Sequence, residues 1–456
     1  LITKRMSDTI KLKRGLDIKL VGLVENKIDT LKTRRYAVKP TDFVALRYPK
    51  LLVDEGDEVQ TGTVLCYDKY RQKIKFTSPV SGKITGIKRG PKRILEEIQI
   101  ESDEKDTSVD FGAANPADLS RDEIIQKMLD SGIWPMLRQR PYSVIANPED
   151  KPKAIFISGF NSAPLAPDMN FVVEGKEKEF QAGLDALSKL TDGKIHLSLR
   201  AGDNPSRVFT EAKNVERHYF KGPHPAGNVG IQIHHIDPIN KGDLVWYTYP
   251  QQIITIGRLF LEGKYNPEKI IALTGSEVRD RKYFKLKMGA SIENMVKDNV
   301  TDGQLRYISG NVLTGTKVRR EGYLSFYHDQ VTVIPEGNYY EFFGWAKPGL
   351  NKFSVSPSFL SWWFKPNKRF RLDTNMHGGE RAYVISGEYD KVIPMDILPV
   401  QLVKAIMIED IDLMENLGIY EVDEEDFALA EVICTSKIEV QSVIRKGLNQ
   451  MRAEMS

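Results

Sequence analysis

The sequence predicts a multidomain protein of the class α/β plus β. Three observations lead to this prediction: short glycine-separated strands between residues 40 and 100, alternating strands and helices from residue 119, and a return to strands after residue 273. A chain of 456 residues has room for two to four domains with separate cores. We predict four domains, with bounds at 1–110, 111–266, 267–340 and 341–456.

The first domain carries glycine turn signals at short intervals. Gly56, Gly62, Gly82 and Gly90 separate apolar or alternating runs of a few residues, which is typical of a compact all-β unit. The acidic stretch 101–110 that follows is interpreted as a linker or exposed loop.

The second domain alternates strands with helices. Ser120 and Glu123 form a capping-box pattern, which predicts that a helix begins there. Further strands are predicted at 154–159, 194–199, 245–249 and 269–275, and helices at 174–193 and 251–261. This alternation favours a parallel sheet with helices on its faces.

The third and fourth domains have different periodicities. Two strands, a short helix near Ser291 and further strands indicate a small β-grasp domain. The chain from Met395 onwards has mostly helical periodicity.

Composition excludes several classes of protein. The 65 basic and 62 acidic residues give a net charge of +3, without the basic excess expected of a nucleic-acid partner. Cys66 and Cys434 are too few for a disulfide framework or an iron–sulfur cluster, and they favour a reducing compartment. No signal peptide is expected from the first residues, and charges interrupt the apolar stretch 393–417, so any membrane connection is expected to run through partners.

The stretch 56–84 looks like half of a lipoyl or biotinyl carrier domain. Asp68 and Lys69 mimic the Asp-Lys pair at the hairpin tip of such domains, but extra residues separate Lys69 from Pro79. We therefore expect Lys69 to be an unmodified surface lysine, with a covalent carrier as the alternative.

One aromatic and basic segment is a candidate quinone site. Trp134, Met136 and Leu137 suit a flat apolar ring, and Arg138 and Arg140 could donate hydrogen bonds to its carbonyl oxygens. The alternative is a helix end packed into the domain.

Of two loops in the second domain, one is a candidate for binding an anion and the other is not. The loop with Gly222, His224 and Gly227 precedes an apolar run and could cap a helix facing an anion, or form a structural turn. The loop after the strand 154–159 lacks further glycines and contains prolines without an N–H donor, so it is a poor dinucleotide cradle.

No metal site is expected from the histidine spacing. His234, His235 and Asp237 resemble ligands, but adjacent residues diverge on a strand or a helix. We predict one buried and one exposed histidine there. The other histidines are scattered along the chain. Catalytic residues are not predicted for this chain.

A second aromatic and basic cluster is a candidate docking surface. It consists of Trp362, Trp363, Phe364, Lys365 and Arg369, which could contact a membrane subunit or an anionic surface. The alternative is a core helix followed by a basic loop.

In sequence order these stretches resemble one family, the A subunit of the sodium-translocating NADH:quinone oxidoreductase of bacterial membranes. The resemblance covers nearly the whole chain after Leu1–Arg5. It rests on RGLDIKLVG (14–22), EGDEV (55–59), FTSPVSGKI (76–84), RGPKRILEEI (89–98), SGIWPMLRQRPY (131–142), GPHPAG (222–227), IGRLFLEGKYNPEKIIALTGSEV (256–278), ISGNVLTG (308–315), FGWAKP (343–348), NMHGGERA (375–382), PMDILP (394–399) and DEEDFALAEVIC (423–434).

The resemblance implies a fold similar to the flavin subunit of complex I. It implies a barrel-sandwich hybrid, a Rossmann-like α/β domain, a β-grasp domain of the SLBB type and a helical C-terminal domain. It also implies a peripheral subunit on the cytoplasmic face of the inner membrane, with no redox cofactor of its own. FMN, FAD, riboflavin and iron–sulfur groups are expected in other subunits.

The same resemblance implies specific partners. They are a quinone, either ubiquinone or menaquinone, together with the membrane-embedded B subunit of the complex and its neighbouring C subunit. An electron-input protein that binds FMN and NADH is the second alternative, beside the covalent carrier.

Overall fold

The architecture is that of a computed structural model, which describes residues 9–344, 347–356, 358–364 and 367–455, without the side chain of Trp362. The predicted docking residue Lys365 and the segment Leu1–Arg5 lie outside the described residues.

The strands are β1 (Ile10–Lys11), β2 (Ile28–Thr30), β3 (Arg35–Val38), β4 (Pro49–Leu51), β5 (Glu58–Val59), β6 (Val64–Asp68), β7 (Lys75–Thr77), β8 (Gly82–Arg89), β9 (Leu95–Ser102), β10 (Arg138–Arg140), β11 (Val144–Ile145), β12 (Ile155–Ser158), β13 (Ile195–Arg200), β14 (Glu216–Lys221), β15 (Val245–Thr248), β16 (Glu268–Thr274), β17 (Tyr283–Lys287), β18 (Leu305–Ser309), β19 (Thr316–Val318) and β20 (Gln330–Pro335).

The α-helices are α1 (Arg121–Asp130), α2 (Met169–Val173), α3 (Glu177–Ser188), α4 (Arg207–Thr210), α5 (Val229–Ile236), α6 (Pro250–Glu262), α7 (Glu293–Val296), α8 (Leu360–Phe364), α9 (Pro399–Met407), α10 (Ile411–Asn416), α11 (Ala428–Ile433) and α12 (Val440–Glu454).

The N-terminal β unit consists of two small sheets. One has the strand order β3-β9-β8-β5 and the other the order β4-β6-β7. Leu65, Phe76, Ile84 and Ile98 from the two sheets are buried in a common core. This confirms the all-β unit that the glycine spacing predicts.

The second domain is built on a seven-stranded sheet in the order β1-β14-β13-β12-β15-β10-β11. Strands β12 to β15 are parallel, as predicted, whereas β10 and β11 form an antiparallel edge. The predicted capping box is present, because the Ser120 side chain accepts from the Glu123 N–H and the Glu123 carboxylate accepts from the Ser120 N–H.

Helices cover both faces of this sheet because its central strand is apolar on both sides. Ile155 and Ile157 of β12 belong to the core that contains α3 and α6. Phe156 points the other way, into a core shared with α5 and the C-terminal helices. A fully buried strand of this kind is typical of parallel sheets.

The third domain has a six-stranded sheet in the order β19-β18-β20-β16-β17-β2. The β16–β17 hairpin leads to α7, and β20 later returns parallel to β16. This arrangement agrees with the predicted β-grasp domain.

The N-terminal segment contributes to neighbouring domains. β1 extends the second-domain sheet beside β14, and β2 extends the third-domain sheet beside β17. Strands of two and three residues carry too little periodicity to be assigned from sequence. Their positions follow from pairing with exposed sheet edges.

The C-terminal residues form a helical layer on the second domain. Leu402 and Ile406 of α9 pack in one core with Ile444 and Leu448 of α12. The two helices approach each other closely at Gly447, where an added Cβ would lie 2.7 Å from the Ile406 side chain. Within the described part of the chain, no helix combines the length and apolar character needed to cross a membrane.

Candidate functional site

The candidate site lies where the strand order of the second-domain sheet reverses. The chain passes from β12 to β13 and β14, and then returns to β15 on the other side of β12. Open α/β sheets bind ligands outside the carboxyl ends of their strands at such a point. A cavity of about 270 Å³ lies there, between the second domain, the third domain and the C-terminal helices.

The loop after β12 forms the first wall of the cavity. Ser158 donates a hydrogen bond to the carbonyl oxygen of Phe160 at 2.9 Å and contacts that of Gly227 at the same distance. The Gln232 side chain donates to the Ser158 hydroxyl oxygen from α5. These bonds hold the loop against the start of α5, with Phe160 and Asn161 lining the cavity.

The predicted anion loop forms the adjacent wall. His224 and Gly227 line the cavity, whereas Gly222 does not and packs its backbone against Leu12. The Ser162 hydroxyl lies 2.9 Å from His224 Nδ1 and accepts from the Gly227 N–H. Burial lowers the pKa of His224 to about 4, so its ring is uncharged at neutral pH.

Arg138 brings a positive charge to the cavity. Its guanidinium carbon lies 5.1 Å from the ring centre of Tyr247 and 4.9 Å from that of Tyr327. It donates to the Ser143 carbonyl oxygen at 3.2 Å. The Tyr327 hydroxyl in turn donates to the Pro135 carbonyl oxygen. The cation is therefore oriented by two rings and one backbone bond.

The apolar residues of the predicted quinone segment lie in the core, and not at the cavity where they could contact a ring. Trp134, Met136 and Leu137 are fully buried and do not line the cavity. The Trp134 ring N–H donates to the Ala146 carbonyl oxygen, and the ring meets Trp246 edge to face. Their role in the structure is to support the β-strand that carries Arg138.

Arg140, predicted to donate to a quinone carbonyl oxygen, contacts carboxylates of this chain instead. Its guanidinium is fully buried and contacts Asp423, Glu425 and Asp426, with N···O distances of 3.4, 3.2 and 3.3 Å. Residues two apart on a strand share a face, but the far end of β10 is covered by the C-terminal helices. Arg140 therefore joins the second domain to those helices, while Arg138 borders the cavity.

The acidic wall of the cavity comes from the segment 423–425. Burial and the Asp423 charge raise the pKa of Glu424 to about 8. Burial and the Asp426 charge raise the pKa of Glu425 to about 7. Both carboxyls can therefore hold a proton near neutral pH.

These pKa shifts predict a pH-dependent stability. Native Glu424 and Glu425 bind protons that the unfolded chain releases near pH 4.5, so the stabilisation is lost as pH rises through their native pKa values. We expect the melting temperature of the wild type to fall between about pH 6 and about pH 8.5. The Glu424→Gln variant should show a smaller fall, measured by circular dichroism.

A matched variant tests the origin of that slope. Glu58→Gln changes an exposed carboxyl of the N-terminal unit and should retain the wild-type slope. Equal slopes for Glu424→Gln and the wild type would contradict the prediction.

The third domain completes the cavity with polar groups. Asn311, Thr314, His328 and Gln330 line it. The Ser309 hydroxyl lies 2.9 Å from His328 Nδ1. Sequence reasoning missed these residues and the acidic wall, although the motifs 308–315 and 423–434 contain several of them.

Lys69 is exposed on the hairpin between β6 and β7. The same hairpin is attached to the second domain, because Arg71 donates to the Ile145 carbonyl oxygen and Lys73 pairs with Glu149 at 3.0 Å. An unmodified Lys69 remains a prediction.

The predicted docking residues lie in and after α8. Trp363 and Phe364 are exposed, as is Arg369. Tyr340 and Phe342, in the preceding segment, are also highly exposed.

The predicted pair His234 and His235 lies on α5. His234 is half-buried and contacts Glu421 at 2.7 Å, whereas His235 is exposed and contacts the Ile231 carbonyl oxygen. The two rings have separate partners.

Comparisons with known proteins agree with this architecture. Family models described as the NqrA N-terminal barrel-sandwich hybrid domain, the NqrA second alpha/beta domain and the NQRA C-terminal domain match residues 10–103, 119–265 and 270–320. The A subunit of the Na(+)-translocating NADH-quinone reductase of Yersinia pestis is 39% identical over 451 residues, 98% of this chain and 100% of the relative.

The chain belongs to the family of A subunits of Na+-translocating NADH-quinone reductases. Relatives of the same name from Neisseria meningitidis and Vibrio alginolyticus are 38% and 37% identical, again over 98% of this chain and 100% of each relative. The predicted family, barrel-sandwich hybrid and SLBB-type domain are thereby confirmed.

A solved structure of an NAD+-reducing nickel–iron hydrogenase in the air-oxidised state is also similar to this member of the family. The TM-score is 0.39 at 10% identity, over 75% of this chain and 62% of the hydrogenase chain.

Proposed function

We propose that this chain is a peripheral, cytoplasm-facing subunit of a sodium-pumping NADH:quinone oxidoreductase. It assists quinone reduction by contacting the quinone head group in the cavity where the strand order of the second-domain sheet reverses. The observation that carries the proposal is the oriented Arg138 cation at the start of β10, bordering this cavity in a member of the family.

The chemistry of the cavity supports a quinone head group. Phe160 and Met169 supply apolar surface, and Arg138 and Asn228 supply donors that could reach carbonyl oxygens. The volume of about 270 Å³ is just below the roughly 300–1,000 Å³ range of ligand pockets. A ring-sized group fits this volume better than a dinucleotide.

Redox groups belong to other subunits in this proposal. The loop after β12 contains Pro164 and Pro167 and lacks the glycine pattern of a dinucleotide cradle. Cys66 and Cys434 are both unpaired and buried in separate cores, so they cannot together ligate a cluster. FMN, FAD, riboflavin and iron–sulfur groups are proposed for the B and C subunits and the other partners.

The exposed aromatic residues support docking on a membrane partner. Tyr340, Phe342 and Phe364 expose large apolar side chains within the segment 340–364. Aromatic residues are enriched at protein interfaces, and exposed apolar patches mark interaction sites. We propose that these three side chains contact the membrane-embedded B subunit.

The quinone proposal predicts a specific kinetic change in the assembled complex. Arg138→Met keeps much of the side-chain volume but removes a charge-assisted hydrogen bond worth about 1.5–3 kcal/mol. We expect the KM for a short-chain ubiquinone to rise about 10- to 100-fold. Steady-state quinone reduction by the purified complex measures it.

Arg217→Met is the matched control for this experiment. Arg217 is also half-buried and donates to backbone carbonyl oxygens, at Phe209 and Ala212, but it does not line the cavity. Its KM for quinone should equal the wild-type value. Equal KM values for Arg138→Met and the wild type, in complexes with complete subunit content, would refute quinone contact at this cavity.

A further inference from the structure

Two histidines and a glutamate, all of side-chain types that can ligate a metal, meet on strands β13 and β14. His196 is the second residue of β13, and it is paired in register with Glu216, the first residue of β14. His218 follows two residues after Glu216, so its side chain points to the same face of the sheet. All three residues lie in the amino-terminal halves of their strands, whereas the cavity lies at the carboxyl ends.

The ligand atoms are close together. Nδ1 of His196 lies 2.9 Å from Nε2 of His218, and one potential ligand atom from each of the three side chains lies within 4.8 Å of the others. Tetrahedral zinc sites with Zn–N bonds of about 2.0–2.1 Å require ligand atoms a little over 3 Å apart. A small rotation of the more exposed Glu216 and His218 side chains would meet that requirement.

Both imidazoles are suited to bind a cation. His196 is buried and His218 is half-buried, and their facing ring nitrogens come from neighbouring strands. In the 2.9 Å contact one ring donates its N–H to the other. If that proton occupies the second nitrogen of its ring instead, the two lone pairs face each other, which is the arrangement a metal ion needs.

The surroundings hold the ligands and leave a route for solvent. The Phe156 ring stacks on His196 with 4.8 Å between ring centres, which limits rotation of the imidazole. Glu216 is exposed and its Oε2 pairs with Lys194 at 2.7 Å. Water can therefore reach the site and fill the remaining coordination position.

We propose that His196, Glu216 and His218 form a binding site for one divalent transition-metal ion of the Zn²⁺ type, which links β13 to β14. Two imidazoles and one carboxylate are a common ligand set for zinc, and hard cations such as Mg²⁺ prefer all-oxygen sites. Because His196 lies 20 or more positions before the other two ligands in the sequence, their spacing matches no short metal motif.

Zinc binding by the full chain tests the site directly. After treatment with a chelator and its removal, the wild type should bind one equivalent of Zn²⁺ in isothermal titration calorimetry. His218→Gln removes a half-exposed ligand without opening the core. Loss of a supporting outer-shell group already costs about 10- to 100-fold in metal affinity, so loss of a direct ligand should cost at least about tenfold.

Two further variants test the role of Glu216 and provide a control. Lys194→Gln removes the cation that competes for Glu216, so this variant should bind Zn²⁺ more tightly than the wild type. A contact between the two histidines with a purely structural role would not explain tighter binding. His235→Gln changes an exposed histidine of the same domain, which also neighbours a second histidine, and should leave Zn²⁺ affinity unchanged. Absence of Zn²⁺ binding by the wild type, or equal affinities for the wild type and His218→Gln, would overturn the proposal.

Discussion

Replacing Arg140 by methionine should lower the free energy of unfolding by about 3–5 kcal/mol. Arg140 is fully buried, and its guanidinium is within salt-bridge distance of Asp423, Glu425 and Asp426. Methionine fills much of the volume but removes the cation that these carboxyls share. Asp423 keeps its ion pair with Arg445 at 2.7 Å, whereas Glu425 and Asp426 lose their contact with Arg140. Breaking one side of a buried ion pair is strongly destabilising because the remaining charge stays in a poorly solvated place.

The expected loss can be measured by chemical unfolding of the full chain, followed by circular dichroism. Arg207→Met provides the control, because the Arg207 side chain is 78% exposed and pairs with Glu211 one helical turn away. An exposed pair of this kind contributes up to about 0.5 kcal/mol. Similar losses for the two variants would show that the buried cluster does not hold the C-terminal helices to the second domain.

A second substitution separates charge from packing at Arg140. If unpaired carboxylates cause the loss, Arg140→Met combined with Asp426→Asn should be more stable than the sum of the single effects predicts. Strict additivity would instead assign the loss to packing.

Substituting Gly257 by alanine should destabilise the second domain by about 3 kcal/mol. Helices α3 and α6 cross with their backbones in contact at this point. A Cβ on Gly257 would lie 1.7 Å from the Glu179 carbonyl oxygen and 2.9 Å from the Gly183 nitrogen. These are backbone atoms, so no change of side-chain rotamer can relieve the overlap.

The same crossing explains why this variant should also alter the cavity. Helix α6 begins at Pro250, and Tyr249 and Pro250 line the cavity. If the helices separate, the amino end of α6 moves with them. The change is measured as a lower melting temperature and an altered near-ultraviolet circular dichroism spectrum.

Gly379→Ala is the control for Gly257→Ala. An added Cβ at Gly379 meets nothing within 4 Å, so its substitution should be nearly neutral. A Gly257→Ala variant that melts within about 2 °C of the wild type would mean that the helix crossing tolerates a methyl group. Failure of this variant to fold, while Gly379→Ala folds, agrees with the prediction.

Much of the local structure follows from short sequence patterns. Ser120 and Glu123 identify the start of α1, and the apolar positions Phe180, Leu184 and Leu187 identify the buried face of α3. The strands β12, β13, β15 and β16 are near their predicted positions. These features depend on hydrogen bonds and side-chain periodicity within one element, so the sequence around each of them contains the information.

The candidate cavity was predicted only in part. Arg138, His224 and Gly227 came from motifs that the sequence identifies, and the structure brings them to one cavity. Trp134 and Arg140 belong to the same segment as Arg138 but are buried elsewhere. A motif shows which side chains are near in sequence, whereas burial of each one depends on the strand pairing and on the domain that covers it.

The sequence by itself determined the family, the order of the domains and the type of most long elements, because each rests on local patterns or on motifs in sequence order. The tertiary structure decided where β1 and β2 pair, which carboxyls surround Arg140, and that His196 meets Glu216 and His218. These contacts join residues that are distant in the chain. Their positions depend on sheet register and domain packing, which no single stretch of sequence encodes.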